Sequence, residues 1–294
     1  MQLDPSFDRH VTQVDGARAE ALVAEGARVL DVRTPPEFTD LGHIPGAWLL
    51  PVHLAASAPA LFDDPDAPVI VTCEHAVRSR VAARVLAQAG FTRVHELAHG
   101  MAGWSGPRGH EPAPLSGPSP WLLDCGDLLP RSGTALDVAS GRGRHALLLA
   151  SAGLHVTAID RDEAALARLQ TQADRLGLPV TTRVADLEAG SPSLGDDGYD
   201  VVVVARYLHR PLFPQLLLSL APGGLLIYET FLEVPQEGAG LADAPQGRRP
   251  SQPTRADFLL KPGELDTLVA PLRVLRRFEG ERDGQWVSAI AARR

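Results

Sequence analysis

The sequence predicts two α/β domains in tandem, the second with a mainly parallel, doubly wound sheet, and three observations carry that prediction. Short β-rich runs alternate with helix-length segments along most of the chain. A stretch dense in proline and glycine, GPRGHEPAPLSGPSP at 106–120, interrupts the alternation. The segments on its two sides carry different signatures, so the halves are not repeats of one unit. The expected division is a first domain at 1–106, a linker at 107–120 and a second domain at 121–294.

In the first domain, apolar runs at Ala27 to Val32 and Pro68 to Thr72 read as buried strands, and Ala17 to Glu25 and Ser79 to Ala89 as helices. In the second, runs at Thr134 to Val138, His155 to Ile159, Val180 to Val184, Asp200 to Ala205, Leu225 to Glu229 and Trp286 to Ala291 are spaced as strands with helices between them. An irregular stretch, Glu233 to Pro253, reads as a lid or long loop. The chain's 294 residues, 45% apolar and 22% charged, suffice for two modest cores.

A net charge of -8 argues against nucleic acid or an anionic membrane surface as a partner, and no basic cluster with interleaved aromatics appears. No apolar run is long enough to span a bilayer, so a soluble, cytoplasmic protein is expected. The two cysteines, Cys73 and Cys125, fall in different domains, which argues against a disulfide framework and a Cys-rich zinc site; no metal is expected.

Cys73 ends the run VIVTC and opens the loop Cys73, Glu74, His75, Ala76, Val77, Arg78, after which SRVAARVLAQAG reads as a helix with Ser79 near its N-cap and Val81, Val85 and Leu86 on one face. Backbone N–H groups, a helix dipole and the charge of Arg78 would all favour a thiolate there. Glu74 opposes them, because its charge disfavours the thiolate and repels anionic donors. His75 is a candidate donor to bound substrate. Ala76 is expected to be strained if its φ is positive. Cys125 is expected to pack as a small apolar side chain.

LDVRTPPEFTDLGHIPGAWLLP (Leu30 to Pro51), TCEHAVRS (Thr72 to Ser79) and HGMAGWSG together resemble the rhodaneses, the sulfurtransferase family, over nearly the whole first domain. The resemblance implies that Cys73 carries the transferred sulfur as a persulfide, with a sulfur donor and a thiol acceptor as its partners, and that Arg78 closes the loop. It gives Asp31, Arg33, Glu37, His43 and Gly46 structural roles. Four residues separate Cys73 from Arg78, whereas related phosphatases have five, which favours sulfur transfer over phosphate hydrolysis.

The segment TALDVASGRGRHALLLASAGLHVTAIDRDEAAL reads as a strand, a glycine turn, a helix, a second strand and a terminal acid. Gly141 and Gly143 would let a ligand approach the backbone, and Asp160 would accept from ribose hydroxyls. Gly141, Gly143 and Ala146 also satisfy a dinucleotide fingerprint, so a nicotinamide-dependent oxidoreductase is an alternative. Asp137 argues against it, since a carboxylate before the turn suits an ammonium group and repels pyrophosphate. Asp186 is placed for an adenine amino group.

Asp137, Gly141, Gly143, Asp160 and Asp186, followed by YDVVVVARYLHRP and LAPGGLLIYETF, resemble the motifs of the Rossmann-like methyltransferases, which implies S-adenosylmethionine as cofactor. Ala139 stands where a glycine is common in the first motif. SGRGRHALLLA, YETF and FLLKPGEL are similar to tellurite-resistance and thiopurine-type methyltransferases, which points to a small soft methyl acceptor: a thiol, a sulfide or a chalcogen oxyanion.

The acceptor side is expected after Val204, where Tyr207 or His209 could act as base and Arg206 or Arg210 could hold an anion. Tyr228, Glu229, Arg248 and Arg249 are further candidates. The leading expectation is methyl transfer coupled to a sulfur-carrying Cys73. The alternative makes the first domain a binding or redox-sensing module without turnover.

Overall fold

The computed structural model describes residues 3–190, 194–195, 198–234, 253 and 255–294. Two compact units divide the chain, residues 1–118 with 168–179 and residues 119–167 with 180–294. Most of the Glu233 to Pro253 stretch, including Arg248 and Arg249, lies outside the described residues.

The first unit holds a five-stranded sheet in the order β1-β5-β4-β2-β3. Its strands are β1 (Val11–Val14), β2 (Arg28–Asp31), β3 (Trp48–Leu49), β4 (Val69–Thr72) and β5 (Val94–Leu97), and every pairing is parallel. Helices α1 (Gly16–Ala24), α2 (Pro35–Asp40) and α3 (Arg78–Ala89) connect them. All four residues of β4 are buried, as a central parallel strand covered on both faces requires.

A capping box starts α2: Thr34 Oγ1 accepts from the Glu37 amide, and the Glu37 carboxylate accepts from the Thr34 amide. On α3, Ala82, Ala83, Val85 and Leu86 are buried while Val81 is 39% exposed, so Val81 faces away from the core side that its spacing suggests. A left-handed Gly90 (φ 108°) ends that helix. Residues 107–116 pair with this unit at His43–Gly109 and Leu49–Leu115.

The second unit holds a seven-stranded sheet in the order β11-β12-β10-β9-β6-β7-β8. The strands β6 (Gly133–Val138), β7 (Leu154–Asp160), β8 (Val180–Val184), β9 (Tyr199–Ala205) and β10 (Leu220–Phe231) are parallel. The antiparallel pair β11 (Arg273–Arg282) and β12 (Gln285–Arg293) closes one edge. Between them run α5 (Arg144–Ser151), α6 (Glu163–Leu176, of which residues 168–176 group with the first unit), α7 (Phe213–Ser219) and α8 (Glu264–Leu268), with α4 (Pro120–Asp124) ahead of β6.

This is the doubly wound order the sequence predicts, with the chain reversing direction of travel across the sheet between β6 and β9. The sequence pattern misses β11, whose RVLRRFEGER carries charge on both faces. Its core includes Leu136, Val138, Ile159, Val202, Val204, Leu226 and Tyr228. Burying each such side chain contributes about 1.5–3 kcal/mol. No helix among the described residues is long and apolar enough to cross a membrane.

Candidate active sites

Cys73 follows β4 directly and is 1% exposed. Its Sγ accepts from the Ser79 amide at 3.3 Å and stands 3.4 Å from Ser79 Oγ. Ser79 is therefore not the cap of α3: the helix begins one residue earlier at Arg78, and the Ser79 N–H of its first turn turns to the sulfur. The loop is buttressed from behind. Met101 and Ala102 donate to the carbonyls of Cys73 and Glu74, and a Cβ on Gly100 (φ 63°) would stand 2.2 Å from the Cys73 carbonyl. Ala76 has φ 55°, the strained left-handed conformation for a residue with a Cβ.

Each nearby guanidinium already has a carboxylate partner. The wholly buried Arg33 is held by Asp31 at 2.7 Å and reaches Glu74 at 2.8 Å. The charge of Glu74 is thus matched, where the sequence suggests a bare carboxylate beside the sulfur. Arg78 faces Cys73 but grips both Glu37 oxygens at 2.7 and 2.5 Å. That grip, with the Arg78 hydrogen bond as largest cause, holds the Glu37 carboxyl down to about 2.

Arg78 is consequently a shared cation rather than a free one. His43 stacks on Phe38 at 3.6 Å, and Gly46 takes a left-handed turn (φ 78°), both structural placements. His75 is exposed on the loop.

In the second unit, a cavity of about 580 Å³ opens at the carboxyl ends of all five parallel strands. Ala139 follows β6, Asp160 ends β7, Asp186 and Glu188 follow β8, Arg206 and Tyr207 follow β9, and Thr230 and Phe231 end β10. Ala139 (φ 54°), Gly141 (φ 52°) and Gly143 (φ 78°) are all left-handed, which coils the turn before α5. Asp160 accepts from the Gly141 amide at 2.8 Å and from the Asp162 amide at 2.9 Å, so it ties that turn to β7. Nothing lies within 4 Å of a Cβ placed on Gly141, so a ligand can reach the backbone there.

Asp137 is buried behind the turn. Its Oδ2 accepts from Ala146, its Oδ1 has no hydrogen-bond partner, and burial pushes the carboxyl up to about 7. His145 Nδ1 stands 3.8 Å from Oδ1, while its Nε2 accepts from the Ser119 amide at 3.0 Å. Burial holds that imidazole neutral, so it offers Nδ1–H toward the acid without a counter-charge.

Arg206 is left-handed (φ 58°), its amide donates to the Glu229 carbonyl, and its Nε is buried without a partner. The Tyr207 hydroxyl also lacks a partner, and burial raises it to about 12. Tyr228 and Glu229 are buried away from the cavity wall: Tyr228 donates to the Tyr207 carbonyl at 2.7 Å, and Glu229 accepts from Ser119 Oγ at 3.0 Å.

His209 and Arg210 do not line the cavity. Arg210 pairs with Glu264 at 2.6 and 2.9 Å and donates to the carbonyls of Asp257 and Leu259. Its place is a staple, because guanidinium donors already committed to a carboxylate and two carbonyls are not available to an anion. The sequence reading does not single out Glu188, Thr230, Phe231 or Phe258 as site residues, although the last three stand within YETF and FLLKPGEL; all four line the cavity. Cys125 is buried, and burial pushes its thiol up to about 11.

Residues 16–107 match the rhodanese-like domain family and residues 135–224 a methyltransferase domain family. The first region is similar to thiosulfate sulfurtransferase GlpE of Ectopseudomonas mendocina, 38% identical over 97 residues, covering 31% of this chain and 83% of that protein. GlpE of Pseudomonas fluorescens SBW25 is 41% identical over 87 residues, covering 29% and 77%.

Among solved structures, TehB from Haemophilus influenzae is 19% identical with a TM-score of 0.47, and the alignment covers 58% of this chain and 60% of that one. A SAM dependent methyltransferase from Aquifex aeolicus is 17% identical with a TM-score of 0.44, covering 59% and 89%. The methyltransferase match falls largely within the second unit, where the sequence motifs imply S-adenosylmethionine as cofactor. The partnerless buried Asp137 oxygen, the open backbone at Gly141 and the size of the cavity fit that group.

Proposed function

Because the chain belongs to the rhodanese-like family and carries a methyltransferase domain, we propose that its second unit methylates a small, soft acceptor while Cys73 carries sulfane sulfur as a persulfide. Bound S-adenosylmethionine supplies a methyl group on a sulfonium centre. Asp160 would accept from its ribose hydroxyls, Asp186 would meet its adenine amino group, and Asp137 would answer its ammonium group directly or through water. Ala139, Gly141 and Gly143 leave the backbone open to it.

One observation carries the choice of acceptor. No histidine is among the described residues lining the cavity, and the Tyr207 hydroxyl, raised to about 12, holds its proton at neutral pH. In-line methyl transfer here therefore depends on alignment and exclusion of water, and suits an acceptor that is nucleophilic without help from a strong base. Thiols, sulfide and chalcogen oxyanions meet that condition. Tyr207 donates to such an acceptor, and Arg206 offers it positive charge.

On the first unit, Cys73 thiolate attacks the outer sulfur of a donor such as thiosulfate. The S–S bond of the donor breaks, sulfite leaves with the electron pair, and Cys73 retains the persulfide. A thiol acceptor then takes the outer sulfur and returns Cys73 as thiolate. The coupling between the two reactions is that a soft sulfur product is the kind of nucleophile the second unit accepts.

The test is calorimetry with S-adenosylhomocysteine on the full chain, labelled-methyl transfer to hydrosulfide, small thiols and selenite, and peptide mass spectrometry of Cys73 after thiosulfate treatment. Binding, transfer to at least one soft acceptor, and one added sulfur on Cys73 are expected. Transfer only to oxygen or nitrogen acceptors would overturn the choice of acceptor. A Cys73 that never gains sulfur, combined with a changed methyl-transfer rate in Cys73→Ala, would establish a sensing module instead.

A further inference from the structure

A chain of buried polar side chains runs behind the glycine turn of the second unit, through Glu229, Ser119, His145 and Asp137. Asp137 on β6 is fixed at one oxygen, since Oδ2 accepts from the Ala146 amide at 3.0 Å, while Oδ1 has no partner among the described residues. His145, the residue before Ala146 on α5, brings Nδ1 to 3.8 Å from that free oxygen.

The tautomer of His145 follows from its other nitrogen. A backbone amide can only donate, so the Ser119 N–H at 3.0 Å makes Nε2 an acceptor and leaves the ring proton on Nδ1. Burial, with the charges of Arg144 and Arg206 acting in the same sense, keeps the ring from taking a second proton. His145 therefore presents one neutral N–H on the Asp137 side, a little beyond hydrogen-bond reach.

Ser119 is itself held firmly. It lies 26 residues before His145 and opens the second unit. Its hydroxyl oxygen accepts from the Trp121 and Leu122 amides at 3.1 and 3.4 Å, and its proton goes to Glu229 Oε1 on β10 at 3.0 Å. The Trp121 indole donates to the Ile290 carbonyl on β12 at 3.1 Å, which anchors α4 to the sheet. An imidazole whose Nε2 is tied to such a residue keeps one orientation.

We infer that His145 is a positioning residue for the amino-acid end of the cofactor: with its tautomer set by Ser119, its Nδ1–H closes onto Oδ1 and holds the Asp137 carboxylate toward the ammonium group. A carboxylate oxygen accepts more than one hydrogen bond, so His145 and the ammonium group, directly or through water, can share Oδ1. Arg144 and Asp160 also act on Asp137, in opposite senses and through charge, and neither fixes its orientation by a hydrogen bond. This role rests on the proposed pairing of Asp137 with the cofactor's ammonium group.

The experiment is calorimetry on the full chain with S-adenosylhomocysteine and with methylthioadenosine, which lacks the amino-acid end. His145→Phe keeps a ring in the buried space and removes both nitrogens. Affinity for S-adenosylhomocysteine should fall about tenfold, the scale of one hydrogen bond to a charged group, while affinity for methylthioadenosine stays within about twofold. Equal losses for the two ligands, as a merely structural role would give, or no loss for either, overturn the inference. Asp137→Asn separates the two readings. If it leaves S-adenosylhomocysteine affinity unchanged, the pairing of Asp137 with the ammonium group fails and the role of His145 with it. If it weakens that affinity and His145→Phe does not, only the role of His145 fails.

Should His145→Phe fail to fold, nitrogen-edited spectra of labelled histidine in the wild-type chain decide the matter. The ring whose Nε2 couples to the Ser119 amide should carry its proton on Nδ1, and that proton should move downfield on adding S-adenosylhomocysteine but not methylthioadenosine. A proton on Nε2, or an Nδ1 proton that moves with both ligands or with neither, overturns the inference.

Discussion

The Cys73 loop and the cavity of the second unit are both built at the carboxyl ends of parallel strands, yet one is electrostatically closed and the other open. Around Cys73, Arg33, Arg78 and Arg80 each hold a carboxylate. In the second unit Asp137 Oδ1, Arg206 Nε and the Tyr207 hydroxyl are buried without partners. A buried polar group without a partner costs about 1–3 kcal/mol, so a site that leaves several of them open is organised around something it binds. The Cys73 loop leaves no such gap, because its charged groups hold one another and the loop itself. The contrast separates a site whose polar groups are matched within the fold from one whose polar groups are left open to a ligand.

The strongest way to break this comparison is Asp160→Ala. If Asp160 both ties the Gly141 turn and meets the cofactor, affinity for S-adenosylhomocysteine by calorimetry should fall about a hundredfold, the scale of one or two hydrogen bonds to a charged group. Cys73 alkylation should be unchanged. A loss under about threefold would assign Asp160 to the turn alone.

A subtler test uses pH. Burial raises the Asp137 carboxyl to about 7, so between the unfolded value near 4 and that point the folded apo protein binds the extra proton. The stability Asp137 contributes is therefore complete below about pH 4 and is lost as pH rises through about 7. A ligand bearing an ammonium group favours the ionised form. Its affinity should rise about tenfold from pH 5.5 to 7.5, and Asp137→Asn should flatten that dependence. A flat wild-type profile would remove Asp137 from the site.

What the sequence makes legible follows from chain distance. The Cys73 loop and the β6–turn–α5–β7 unit are contiguous, so backbone geometry and chemistry lie in the same short words. The partners that decide their electrostatics are remote. Arg33 meets Glu74 across 41 residues, Ser119 meets Glu229 across 110, and neither spacing has a local signature. Glu74 reads as an unmatched charge for this reason.

The cavity wall at Thr230, Phe231 and Phe258 is set by strand order. The strand β11 escapes notice because it lies at the sheet edge, where charge on both faces blunts pairing with other chains and erases the apolar alternation that marks a buried strand.

Arg210 gives the smallest effect and the sharpest division between binding and support. As an arginine following β9 it reads as an anion ligand, but its donors serve Glu264, Asp257 and Leu259. The Arg210 side chain is 35% exposed and that of Glu264 22%, so solvent screening limits the pair to about 1 kcal/mol. Arg210→Ala should lower the melting temperature of the second unit by about 2–4 °C. The kcat of methyl transfer should stay the same, since no donor of Arg210 lines the cavity. The opposite pattern, a raised KM for an anionic acceptor with an unchanged melting temperature, would return Arg210 to the binding site. Then the staple on residues 257–264 would have to rest on contacts other than this ion pair.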